Sequence, residues 1–265
     1  MLVEPERNKV VFRALREIAE AREIEDAWTL TVDALKGYGF ERVNYGLTRS
    51  KVGSNIGDPG DALFLSTHAI DAVRAHHENG TYRHMPEYRW VIENTGACSW
   101  GWIEAERQAG QLSDGELAAL EQFSAKRKRA GYSISFPDGN DRCKGAMGMA
   151  ARRGVDQDVV DALWQRVGDE VLALCNMMHF RICQLPLRVP NVALTSRQRE
   201  VLEWLADGKS MQDICILTGL SLSSVEKHLR KGRDALGVET TAQAVAKASF
   251  LNQIFIGENH ANTAS

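Results

Sequence analysis

The chain has 265 residues, 44% of them hydrophobic and 25% charged, which suits a globular protein large enough for two domains. A net charge of -3 argues against any global pull toward nucleic acid or acidic lipid, so such a pull must be local. The five cysteines Cys98, Cys143, Cys175, Cys183 and Cys215 are widely spaced and form no CxxC, which argues against a disulfide framework or zinc site and fits a reducing cytoplasm.

The start, MLVEPERNKV, lacks the apolar run of a signal peptide. No stretch of about 18 apolar residues is present to span a membrane. Val10, Val11, Leu15 and Ile18 predict a first helix, and Ile24, Trp28, Val32 and Leu35 a second. Gly37 and Gly39 break the pattern before FERVNYGL, whose residue types favour a strand. KVGSNIGDPGD has loop composition. Residues 67–79 are expected to be helical, CSWGWIE to be a strand, and residues 114–130 a helix opened by Ser113 and Glu116 at capping-box spacing. YSISFP and GAMGMAAR are expected as strands joined by the turn DGND. This alternation implies a sheet with helices on its faces.

A long helix follows, from about Asp156 to Ile182, with Val160, Leu163, Trp164, Val167, Val171, Leu174, Cys175, Met178 and Ile182 on one stripe. Val159, Leu172 and Met177 add apolar area off that stripe. That area fits either a wide core-facing surface or contact with a second copy of the chain. Pro186 and Pro190 in QLPLRVPNVA disfavour helix, so residues 184–193 are expected to be a linker between domains at 1–183 and 194–265.

Four short helices are predicted beyond the linker. Thr195 with Gln198, Ser210 with Asp213, and Thr240 with Gln243 have N-terminal capping spacing, and Ser221 caps the third helix. Gly208 is expected as a left-handed stop. The last helix is expected to bury Val245, Ala248, Leu251 and Ile254 or Phe255. A short helix, a turn centred on Gly219 and a second helix form a helix-turn-helix pattern. In the second of these helices Val225, Leu229 and Leu236 share the inward face. Glu226, Lys227, Arg230, Lys231 and Arg233 fall outside it, as befits a helix lying in the major groove. Ser221, Ser223 and Ser224 near its start suit phosphate contacts. His228 is expected to pack at the edge of the buried face. The composition is also compatible with a merely solvated helix, since residues 191–265 hold eight Lys or Arg against eight Asp or Glu.

The segment LTSRQREVLEWLADGKSMQDICILTGLSLSSVEKHLRKGRDALGVETTAQAVAKA resembles the LuxR-type helix-turn-helix. The resemblance rests on Leu194, Thr195, Glu200, Val201, Leu202, Gly208, Lys209, Ser210, Val225, His228, Ala244 and Val245. It implies a DNA-binding transcription regulator in which Glu226 and Arg230 occupy base-contact positions. Departures are Cys215 in place of a usual alanine and Gly232 inside the helix, the latter costing about 1 kcal/mol relative to Ala.

Residues 10–180 resemble the autoinducer-binding domain of the same regulators, carried by ENGTYRHMPEYRWVIENTGACSW with Pro86 and Trp100 at matching spacing. This implies an N-terminal α-β-α sandwich with a central antiparallel sheet, followed by a four-helix DNA-binding domain, an α+β protein overall. The family's pocket tyrosine, tryptophan, second tyrosine and aspartate then correspond to His68, Ala72, His76 and Met85, and a usual glycine to Ser133. Ala72 has no donor and Met85 is a poor acceptor. Two unpartnered ligand groups at about 1–3 kcal/mol each remove two or more decades of lactone affinity. The expected protein is therefore a cytoplasmic, homodimeric regulator of double-stranded DNA. Its long helix carries the dimer contact, its effector is not a standard acyl-homoserine lactone, and it needs no cofactor. The alternatives are a ligand-independent regulator controlled by a protein partner and an enzyme with an appended DNA-binding domain. His76, His77, His84 and Cys98 do not have the tight spacing of a metal site, and the basic run Lys126, Arg127, Lys128 and Arg129 is expected to be a solvated helix end.

Overall fold

Large and small side chains alternate along the central strands, and the sheet is built on that alternation. The computed structural model describes residues 4–53, 55–57, 62–67, 80–124, 129–137, 139–187 and 193–255. These fall into two compact units, Met1–Cys183 and Gln184–Ser265.

In the first unit the strands are β1 (Phe40–Thr48), β2 (Leu63–Ser66), β3 (Gly96–Ser99), β4 (Gly131–Ser135) and β5 (Lys144–Ala151). They form one antiparallel sheet in the order β2-β1-β5-β4-β3. The helices are α1 (Glu4–Glu20), α2 (Ile24–Gly37), α3 (Pro86–Glu93), α4 (Gly101–Gln108), α5 (Asp114–Ser124) and α6 (Gln157–Gln184), with a 3-10 turn at Thr81–His84.

Tyr45, Met147 and Ile134 lie in one register row, on the large-residue face. Helix α6 covers that face. Tyr132 stacks on Trp164 at 4.0 Å and Phe136 on His179 at 4.3 Å, pairings worth about 0.5–1.5 kcal/mol each beyond burial. The Tyr45 hydroxyl meets His179 Nδ1 at 2.9 Å. His179 passes directly over Gly145, where no Cβ would fit. The apolar residues Val160, Val167, Val171, Leu174, Cys175, Met178 and Ile182 of α6 are buried, as their periodicity predicts.

Ser113 and Glu116 realise the expected capping box. Ser113 N–H donates to Glu116 Oε2 at 2.9 Å, and Glu116 N–H donates to Ser113 Oγ at 3.3 Å. The expected strand CSWGWIE is corrected: β3 ends at Ser99 and α4 starts at Gly101. Ser99 Oγ accepts the Gly101 N–H at 3.1 Å and so turns the chain out of the sheet. The helix expected at 67–79 lies almost wholly outside the described residues, as do Lys126, Arg127 and Lys128.

The second unit contains α7 (Ser196–Ala206), α8 (Met211–Thr218), α9 (Leu222–Leu236) and α10 (Thr241–Phe250). Capping boxes open α7, α8 and α10, and Ser221 Oγ caps α9. Gly219, at φ 69°, makes the tight turn between α8 and α9, and Gly208 is left-handed at φ 79°. Val201, Leu202, Ile214, Val225, Leu229, Leu236, Ala244 and Ala248 form the core. In and after α10 the buried residues are Ala244, Ala248, Leu251 and Ile254, whereas Val245 is half-buried and Phe255 exposed. Of the expected linker, residues 188–192 lie outside the described residues. Leu185 and Leu187 are buried, and Leu187 N–H donates to the Leu251 carbonyl at 2.8 Å.

Candidate functional site

Two surfaces carry chemistry. The first is the outer side of α9. Val225, Leu229 and Leu236 turn inward, which leaves Ser221, Ser223, Glu226, Lys227, Arg230 and Lys231 exposed. Ser224 and Arg233 are half-buried, and Arg233 Nη1 donates to Thr241 Oγ1 at 3.1 Å. Among the described residues, Glu226, Lys227, Arg230 and Lys231 make no hydrogen bond or ion pair, so their polar ends are available to a ligand. Ser221 Oγ lies 3.1 Å from Ser223 Oγ and 2.9 Å from Ser224 Oγ, a hydroxyl cluster at the helix start. His228 is half-buried at the edge of the apolar face.

The second surface is the small-residue face of the sheet. Register places Ser66, Asn44, Gly148, Ser133 and Cys98 in one row across all five strands. The next row on that face is Phe64, Gly46, Ala146, Ser135 and Gly96. Apart from Phe64, whose ring lies against Gly46, this face carries short side chains. Trp100 stands at its edge, close against Gly131, and its ring approaches the position of a Gly148 Cβ at 3.9 Å. The Trp100 indole N–H donates to Ser133 Oγ at 2.9 Å. Ser135 Oγ sits 2.9 Å from the Val91 carbonyl and 2.6 Å from that of Asn94, which ties α3 to β4. Met85, the residue before α3, is 4% exposed and makes no side-chain cap. Burial, with the nearby Glu87 carboxylate as a lesser cause, pushes the Cys98 thiol up to about 11, so it is an inert thiol on this face.

Residues 23–182 match the family of autoinducer binding domains, and residues 192–236 match region 4 of sigma-70. The chain belongs to the LuxR-type transcriptional regulators. It is 29% identical over 202 residues to the transcriptional activator protein EsaR of Pantoea stewartii subsp. stewartii, covering 71% of this chain and 78% of EsaR. It is 36% identical over 70 residues to the quorum-sensing regulator RhlR of Pseudomonas aeruginosa, covering 26% of this chain and 29% of RhlR. The crystal structure of Escherichia coli SdiA has the same fold, with a TM-score of 0.51 at 14% identity over 94% of this chain and 99% of SdiA. SdiA in complex with octanoyl-rac-glycerol gives 0.52 at 13% identity over 94% and 97%.

These relatives are transcription regulators, not enzymes, and the helix-turn-helix of this LuxR-type chain is its DNA-binding part. No helix among the described residues is long and apolar enough to cross a membrane. Of the pocket residues expected from the family spacing, Trp100 and Ser133 meet through a hydrogen bond on the small-residue face and Met85 is buried just before α3, whereas His68, Ala72 and His76 lie outside the described residues. The floor residues Gly46, Ala146 and Gly148 were missed. Their signal was legible as strict alternation of small and large residues in NYGL and AMGMA.

Proposed function

We propose that this LuxR-type regulator binds double-stranded DNA in the cytoplasm as a two-fold homodimer, and that its effector is not a standard acyl-homoserine lactone. The division of labour assigns residues 1–183 to effector binding and dimerisation, 184–193 to the linker and 194–265 to DNA. The observation that carries the effector reading is Met85. It is buried at the position where the family resemblance puts the aspartate that accepts from a lactone amide, and a thioether does not replace a carboxylate there. Trp100 offers no substitute donor while its N–H is held by Ser133. Among the described residues of that face, the Ser133 hydroxyl is a polar group left to meet an effector, since it accepts from Trp100 and keeps its own proton to donate.

On α9, Arg230 and Glu226 face the base edges, while Lys227, Lys231, Arg233, Ser221, Ser223 and Ser224 serve the backbone. The dimer contact is the exposed side of α6. There Val159, Ala162, Arg166, Asp169, Ala173 and Phe180 are all exposed and follow the three-and-four spacing of a helix seam. The test is a thermal shift series with acyl-homoserine lactones of different chain length at about 10 μM. Binding no tighter than that adds no more than about 0.4 kcal/mol, so the melting point stays where it is. Submicromolar binding of any of them would sink the reading.

A further inference from the structure

We propose that this regulator carries a second small-molecule site, a cleft for a compact dianion such as a phosphate monoester or dicarboxylate, between the 3-10 turn, α3 and the start of α5. The inference rests neither on the small-residue face nor on α9. The cleft has a volume of about 460 Å³ and is lined by Arg83, His84, Arg89, Gln111, Ser113 and Glu116, with Leu112 beside them.

What matters is which of these groups the protein has already used. Both Glu116 oxygens are taken: Oε1 accepts from Arg89 Nε at 2.8 Å, and Oε2 accepts from Ser113 N–H and Oγ–H, each at 2.9 Å. Arg89 Nη2 is bound to Glu106 Oε2 at 3.1 Å, and its guanidinium lies over the Trp102 ring at 5.2 Å. The acidic groups of the cleft are thus consumed in holding α3, α4 and α5 together. Of the cationic groups, Arg89 is consumed with them and Arg83 is not. Arg83 spends only Nε, on the Tyr82 hydroxyl at 3.2 Å, and its guanidinium rests over that buried ring at 5.7 Å. Tyr82 therefore fixes the aim of the fork and leaves both Nη groups without a hydrogen bond among the described residues. His84 lies against Gly115, where an added Cβ would meet Nδ1 at 3.5 Å. Neither its ring nor the side-chain amide of Gln111 has a hydrogen bond among the described residues. A pre-aimed guanidinium fork, an imidazole and an amide around an open cleft are the donor set for two anionic oxygens on one small molecule.

The experiment is isothermal titration of the full chain with inorganic phosphate and, separately, with succinate, each against chloride at matched ionic strength. Saturable binding of at least one anion is expected, and the one that binds identifies the ligand as phosphate-like or dicarboxylate-like. In the double variant Arg83→Gln, His84→Gln the affinity should fall at least about tenfold, with an unchanged circular dichroism spectrum and melting point because neither side chain is part of the core. No saturable binding of either anion below about 20 mM, or equal affinity in the folded double variant, overturns the proposal. Lactone response and DNA binding are not read in this experiment, so its outcome leaves the effector reading where it stands.

Discussion

At the scale of single residues, the most informative positions are those whose polar ends are either fully spent or fully free. Arg230 is exposed on α9, opposite the buried Val225 and Leu229. Arg230→Ala should weaken binding to the cognate site by about 1–3 kcal/mol and relax base preference there. Equal weakening on every sequence, measured by fluorescence anisotropy, would make Arg230 a phosphate contact instead. His179 illustrates the opposite case. Burial, followed by the positive charges of Arg49 and Lys144, lowers its pKa to about 4, below the ordinary value of about 6.5. The unfolded chain therefore binds a proton between these values that the folded chain refuses. Stability is fully present above about pH 6.5 and is lost as pH falls toward 4, by at most about 3 kcal/mol. Thermal melts from pH 7.5 to 4.5 should show this slope, and His179→Phe, which keeps the stack on Phe136, should flatten it.

At the scale of elements, glycines separate tolerance from necessity. Gly232 lies inside α9, and a Cβ added there would meet Leu202 at 3.6 Å and Leu194 at 3.8 Å, ordinary contact distances. Gly232→Ala should therefore stabilise the DNA-binding unit by about 0.5–1 kcal/mol, read as a higher denaturation midpoint. Gly131 is different. A Cβ there would meet the Met149 carbonyl oxygen at 2.1 Å and the Trp100 ring at 2.7 Å. Because the first of these is backbone, Gly131→Ala should destabilise the sheet by about 1–3 kcal/mol, and a midpoint equal to the parent would contradict the close packing of Trp100. Helix ends were the most legible elements: Thr195, Ser210, Ser221 and Thr240 all cap as their spacing predicts, because capping is decided within four residues. CSWGWIE was not legible, since its tryptophans favour a strand and only the Ser99–Gly101 turn carries the chain into a helix.

At the scale of the whole molecule, the proposed dimer ties assembly to DNA affinity. If the exposed stripe of α6 is the seam, the 28 residues of that helix present about 42 Å of contact line. Val159 and Phe180, 60% and 48% exposed, are its large apolar members. Val159→Glu with Phe180→Glu should convert a dimer to a monomer at micromolar concentration by light scattering. It should also cost a two-half-site DNA far more affinity than a single half-site. A parent chain that stays monomeric on DNA would end the two-fold reading.

Local chemistry in the chain was enough to establish the helix-turn-helix, its caps and its inward face, because a 3.6-residue period and a hydroxyl three residues from an amide need no distant partner. The alternation of small and large residues in β1, β4 and β5 was likewise written in order along the chain. Only the tertiary structure decided which register aligned those small residues into one floor, since register depends on how strands far apart in sequence pair. It also decided that Trp100 gives its N–H to Ser133, thirty-three residues away, and that Glu116 is spent on Arg89 while Arg83 is left with donors to spare. These outcomes depend on which polar groups meet across packed elements, and hydrogen-bond satisfaction is a property of the assembled surface rather than of any one segment.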